Sequence, residues 1–322
     1  MAGNFTLDQY WKNFDLGKEL HFAGAFIFNG LRTFHELKNF YHEDPVFEFL
    51  YALSVGIERL QKVAIILTEH DKVDDHQAFE ESLITHSHTK LADMLEKSAG
   101  VSLTSQQKEF LSILAKFYKT HRYSRYMVSQ TANSQNEREL LTAFLEKHLN
   151  VKIDNDAIFV TQNDNRFRRF VGRIVHKICV PLYEQIQQEA RRLNLYTYEI
   201  RYGSKAFKIF TMEKFDFLDD EVLTREILLY FVATKNRGSN SKLMADSDPL
   251  PFDPALEGEY IRALSSDEKK IYIMEELESL YEDHIDDFKE RMGLLNAIGS
   301  EHLYLSGPDD EDPEDDFDLD DL

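Results

Sequence analysis

The sequence predicts an all-α fold: a predominantly helical bundle with at most a short β-hairpin near 196–210 and an acidic disordered tail. Three observations carry this reading. Only 13 glycines and 7 prolines are spread over 322 residues, so long segments run without a breaker. Apolar residues recur at steps of three and four along most of those segments, the period of a helix face. Helix-start residues stand at the head of several of them.

Residues 7–40 read as one or two helices with Phe22, Phe26, Phe28, Leu31 and Phe34 as expected core. Asp44 and Pro45 open the next helix, 44–67, since a proline fits the first turn, where its missing N–H has no partner to lose. Its apolar residues run almost all the way round, as in a central buried helix. Gly56 inside it signals either close approach by a neighbouring backbone or a merely tolerated glycine. A helix over 74–100 follows, broken near His86 and stopped at Gly100. The next, 103–126, opens on a serine or threonine cap with a glutamine soon after, and a polar loop leads to another over 136–149. The helix that begins near Asn165 continues beyond Pro181 across a break or kink, because proline removes one ladder hydrogen bond. "YTYEIRY" (196–202) and "KAFKIF" (205–210) alternate and suggest the hairpin. Helix returns over 217–235, and the proline- and turn-rich 236–259 reads as a linker or long loop. A last helical piece covers about 265–296. The expected organisation is a helical body over 1–235, the linker, a small helical segment over 260–305 packing on the body, and the tail over 306–322.

Composition narrows the function classes. The N-terminus has scattered charges and no apolar core, so no signal peptide is read. No apolar run approaches the length of a membrane-spanning helix. A single cysteine excludes an internal disulfide framework and suits a reducing compartment, so the protein is expected to be cytoplasmic, with no membrane partner. The P-loop, the dinucleotide-binding glycine motif and HExxH are all missing. Cys179 lies among Ile178, Val180 and Leu182, as a reactive thiol or, the commoner case, as a buried small hydrophobe. His86 and His88 in "HSH" diverge on a helix and read as capping or packing residues. The tail holds ten acidic residues between 309 and 321 without the fixed glycine and spacing of a calcium loop. No metal ligand set and no cofactor are expected.

The formal net charge is −21, but it is unevenly distributed. Residues 101–210 hold 18 Lys+Arg against 10 Asp+Glu, while the remainder holds 19 against 48. Binding to phosphate depends on the local field, so this middle third is where a polyanion would bind. "NRFRRFVGRIVHKI" (165–178) concentrates the effect. On a helix, Arg166, Arg169, Arg173, His176 and Lys177 share one face, and Phe167, Phe170, Val171, Ile174, Val175 and Ile178 take the other. A second basic segment, "KFYKTHRYSRY", sets Lys119, Arg122 and Arg125 or Tyr126 at helical steps. Guanidinium groups grip phosphate and phenol rings stack on bases, although the same residues also suit an ordinary helix end.

These residues resemble the HEPN superfamily. Arg169 and His176 are separated by the six residues "FVGRIV", similar to the arginine–spacer–histidine motif on a late helix of that family. "YALSVGIERLQKVAIIL" with "THSHTKLADMLEK" is similar to its early helices, and "FYKTHRYSRY" to the basic end of the next. The resemblance spans about residues 45–190 and departs from the family where Phe170 directly follows the arginine. It implies an α-helical bundle, homodimerisation that pairs two motifs, and metal-independent endoribonuclease activity in a toxin–antitoxin or antiphage system. In that chemistry a histidine moves the 2′-hydroxyl proton and an arginine holds the charge of the phosphorane. His176 and Arg169 are the corresponding candidates, with Lys119, Arg122, Arg125, Tyr126, Arg166, Arg173 and Lys177 as RNA contacts. The alternative is a non-catalytic interaction module that offers its acidic surface and tail to a basic protein partner.

Overall fold

The computed structural model describes residues 5–121, 126, 128, 136–154, 160–235 and 248–297. The expected acidic tail and the first half of the expected linker lie outside them. The fold is all-α, and no strand occurs among the described residues, where a single isolated bridge joins Asn39 to Gln162. The chain divides into two units, Met1–Phe217 and Leu218–Leu322. The helix over 218–235 thus belongs with the second unit rather than with a body ending at 235.

In the first unit, α1 (Leu7–Tyr10) passes through a π-helical turn (Trp11–Asp15) into α2 (Leu16–Glu36). Thr6 starts it with a reciprocal capping box to Gln9. Phe28, Leu31 and Phe34 are buried as expected, whereas Phe22 is exposed and lies beneath the Arg59 guanidinium. The long α3 (Asp44–Glu69) is buried on almost every side and is the centre of the unit. Its few buried polar groups tie in the neighbours. Gln61 donates to the His88 carbonyl (3.0 Å) at the head of α5 (His88–Ala99), and Ser54 donates to Leu114 O (3.4 Å) in α6 (Ser105–Lys116). Between α3 and α5 comes the short α4 (His76–Ser82), so the break expected near His86 is present.

The later helices complete the unit: α7 (Glu137–Leu149), α8 (Asn165–Arg192) and α9 (Lys205–Phe210). Helix α8 runs unbroken through Pro181. The carbonyl that Pro181 leaves without a backbone donor is that of Lys177, and the buried Gln107 side chain supplies the missing hydrogen bond at 3.2 Å. Residues 196–204 do not pair as a hairpin. Their backbone and hydroxyl groups are held instead by the N-terminal helices: Tyr196 N–H donates to Asn13 Oδ1 (2.7 Å), Thr197 Oγ1 to Lys12 O (2.7 Å), and Arg201 N–H to His21 Nε2 (3.1 Å). Ser204 then caps α9 by accepting from Phe207 N–H (3.1 Å), so "KAFKIF" is helix.

The second unit contains α10 (Leu218–Lys235), α11 (Glu257–Ser265), α12 (Asp267–His284) and α13 (Phe288–Ala297). The first three, with the segment around Phe252, close on a separate apolar cluster that includes Leu223, Ile227, Phe252, Tyr260 and Ile273. A buried Arg291–Glu226 pair crosses it, with Tyr281 Oη donating to the same carboxylate at 2.6 Å. No described helix is long and apolar enough to cross a membrane.

Candidate functional site

The basic ridge lies on α8. Asp164 caps this helix, accepting from the N–H groups of Arg166 (2.8 Å) and Phe167 (3.3 Å). All six residues of the expected apolar face, from Phe167 to Ile178, are buried in the core of the unit. That burial fixes the rotation of the helix, so the opposite face turns outward. Arg166, Arg169, Arg173 and Lys177 are exposed.

The cations differ in what holds them. The Arg166 guanidinium donates to the Leu149 carbonyl, which closes the C-terminal end of α7. Arg173 Nε donates to the carbonyl of Arg169 at 3.3 Å. Among the described residues, no carboxylate pairs with Arg169, Arg173 or Lys177. Elsewhere Arg32, Arg59, Arg192, Arg225, Arg262 and Arg291 are each bound by a Glu.

His176 is half-buried and bonded through Nε2 to Glu213 Oε2 at 2.8 Å. A carboxylate only accepts, so Nε2 carries the proton and Nδ1 has the lone pair in the neutral ring. Its ring meets the edge of Phe215 at 5.1 Å between centroids. Two backbone features bring Glu213 there. Gly172 has no side chain where a Cβ would stand 2.6 Å from the Phe215 carbonyl, so the segment leaving α9 lies directly on α8. Glu213 itself sits at φ 50°, a left-handed conformation uncommon outside glycine. Arg169 lies two turns away on the same helix, about 10.5 Å along the axis.

The second basic segment is only partly defined. Lys119 and Tyr126 are exposed, and Arg122 and Arg125 lie outside the described residues. Of the other sequence candidates, His86 Nδ1 is bonded to Glu58 (2.9 Å) and the buried His88 Nε2 to the Ser54 carbonyl (2.8 Å), so the two imidazoles serve different partners. Cys179 is fully buried, and burial pushes its thiol up, far from a reactive thiolate.

A charge cluster that sequence reasoning missed lies at the other end of α3. Lys12, 1% exposed, donates to Asp8 Oδ2 at 3.0 Å and to Asp71. His70, 6% exposed, packs beside them, with Trp11 against its edge and His76 stacked on it at 4.3 Å. Burial pushes the Asp71 carboxyl up, but the hydrogen bond and charge of Lys12 oppose it, and the group is held below its ordinary value. Asp8, His70 and Asp71 border a cavity of about 920 Å³ that Lys62, Ile66, Glu80 and His86 also line. The signal was present in "EHDKVDDH" (69–76), a dense His/Asp run at a helix end, and in the i, i+4 spacing of Asp8 and Lys12. What joins the two is a contact 59 residues apart in the chain. Comparison with known proteins finds no matching family model, no matching curated protein and no matching solved structure.

Proposed function

We propose that this protein is a HEPN-like RNA-binding protein whose contact surface is the exposed face of α8, centred on Arg169, Arg173 and Lys177. One observation carries the reading. In a chain of net charge −21, three neighbouring cations on one helix face have no carboxylate partner among the described residues. Exposed arginine and lysine on a common face suit a phosphate backbone, which presents negative charge at regular intervals along its length. The exposed Tyr126 adds a ring of the kind on which a base stacks. The test is a fluorescence titration of labelled single-stranded RNA with the full chain and with Arg169→Glu/Arg173→Glu. Weaker binding in the variant is expected. Unchanged affinity would turn the reading to an interaction module that binds a basic protein through its acidic surface.

A second reading, cleavage of the bound RNA, is favoured by the His176–Glu213 pair. Glu213 fixes the tautomer and orientation of the imidazole, as an acid–base histidine requires. His176 then moves the 2′-hydroxyl proton and Arg169 stabilises the phosphorane, with a second copy of the motif supplied by a homodimer. Products with 2′,3′-cyclic phosphate ends should form in EDTA, and His176→Ala should abolish them without changing melting. A requirement for added magnesium would remove this mechanism.

A further inference from the structure

We propose that Asp8, His70 and Asp71 form a binding site for a divalent transition-metal cation of the Zn²⁺ type, with Glu80 orienting the imidazole from behind. The two nitrogens of His70 meet different surroundings. Nε2 stands 3.4 Å from Glu80 Oε1. A carboxylate only accepts, so the proton belongs on Nε2 and the neutral ring carries its lone pair on Nδ1. That Nδ1 is buried and has no hydrogen-bond partner. It faces Asp8 Oδ1 at 3.6 Å and Asp71 Oδ1 at 3.8 Å. Asp8 Oδ1 is itself buried without a hydrogen-bond partner.

A lone pair turned toward two carboxylate oxygens is repulsive, and at 3.6 and 3.8 Å both lie beyond hydrogen-bond reach. They suit a cation between the three atoms. At metal–ligand lengths near 2.1 Å, two ligands of a tetrahedral ion stand about 3.4 Å apart. One ligand atom from each of the three residues falls within 4.8 Å of the others. A ligating histidine whose other N–H is held by a carboxylate is the arrangement that fixes tautomer and ring direction at metal centres.

The electrostatics agree. Lys12 binds the other oxygen of Asp8, Oδ2, which leaves Oδ1 to the cation, and it also donates to Asp71 Oδ1, so that oxygen would be shared between the ammonium and the cation. One ammonium offsets only one of the two aspartates, and Glu80 adds a further negative charge. One imidazole with two carboxylates favours a first-row transition ion over Mg²⁺ or Ca²⁺, which prefer oxygen alone. Three protein ligands beside a cavity of about 920 Å³ leave the fourth position to water or a small anionic ligand.

The test titrates Zn²⁺ into the metal-stripped full chain by calorimetry. A single site is expected, and Co²⁺ in its place should give visible absorption characteristic of imidazole and carboxylate ligation. Asp8→Asn and His70→Asn should each abolish the site with helix content intact. Glu80→Gln should weaken it by about 10–100-fold. Zn²⁺ affinity unchanged in both Asp8→Asn and His70→Asn would overturn the proposal. Should those variants fail to fold, the unmodified chain decides: if it takes up neither ion, and ring ¹⁵N shifts show both His70 nitrogens protonated at neutral pH, an imidazolium rather than a metal faces the aspartates.

Discussion

Replacing Arg169, Arg173 and Lys177 together by glutamine keeps three helix-forming side chains of similar length and removes three positive charges. All three positions are exposed, and none is held by a carboxylate among the described residues, so the fold should change by no more than about 0.5 kcal/mol per site. The effect on RNA should be large and of a particular form. Each phosphate contact on a single strand contributes about 0.7 to the slope of log affinity against log salt. Three lost contacts should therefore flatten the slope by about 2. Between 50 and 200 mM salt a slope of 2 is worth roughly 16-fold in affinity, which the wild-type chain should lose and the variant should not. The assay is fluorescence anisotropy with a labelled single-stranded RNA at four or five salt concentrations. Arg166→Gln is the internal comparison, because its guanidinium already serves the Leu149 carbonyl. It should leave the slope nearly unchanged and lower the melting temperature instead. A triple variant with the wild-type slope, or an Arg166 variant that flattens it as much, would refute the assignment of the ridge.

Three other outcomes follow from the packing and the charges. Gly56→Ala should destabilise the first unit, because the new Cβ would stand 2.8 Å from Ile27 Cγ1 and 3.0 Å from the backbone of Ala23 and Ile27. Overpacking of about 1–3 kcal/mol exceeds the roughly 1 kcal/mol of helix propensity gained, so a raised urea midpoint would contradict the close approach. Burial lowers the affinity of His88 for a proton, against the weaker opposing pull of the Ser54 carbonyl and Glu58. The unfolded chain then binds the extra proton, so stability should fall as pH drops below about 6.5, and His88→Gln should lessen that acid sensitivity in pH-dependent melting. Arg291→Met leaves the fully buried Glu226 without its cation and should lower the stability of the second unit by about 3–5 kcal/mol in urea unfolding. Adding Glu226→Gln should recover much of the loss, and a single variant no worse than the double would refute the pairing.

The parts of the fold legible in the sequence were those fixed by local repetition. The apolar steps of α8 placed Phe167, Phe170, Val171, Ile174, Val175 and Ile178 in the core, and the same steps put Arg169, Arg173 and Lys177 outside. The close approach at Gly56 was one of two readings open from sequence, and the backbone of α2 settles it. What escaped was every feature decided by a distant partner. The alternation at 196–202 resembled a strand, yet its backbone groups find Asn13, Lys12 and His21 instead of a neighbouring strand. Pro181 promised a kink, but Gln107 replaces the lost donor from 70 residues away. His176 was visible as a candidate, whereas its partner Glu213 depends on a left-handed turn after α9 that no period announces.

The surrounding acidity then acquires a role in the proposed function. Residues outside 101–210 carry 48 Asp+Glu against 19 Lys+Arg, a field that repels any polyanion at long range. At 0.1 M salt that field is screened beyond about 10 Å, while a guanidinium–phosphate contact at hydrogen-bond distance keeps much of its strength. On the proposed function, RNA would therefore be rejected as a general polyelectrolyte and retained only where a strand reaches the exposed cations of α8. Weak, sequence-independent adsorption, the usual companion of basic RNA-binding surfaces, would be suppressed by the same charge that makes the chain as a whole look unsuited to RNA. Lowering the ionic strength should consequently strengthen both terms, attraction at the ridge and repulsion elsewhere. Affinity at very low salt should then rise less steeply than the contacts on α8 alone would give, with the shortfall growing as the RNA is lengthened beyond what the ridge can hold.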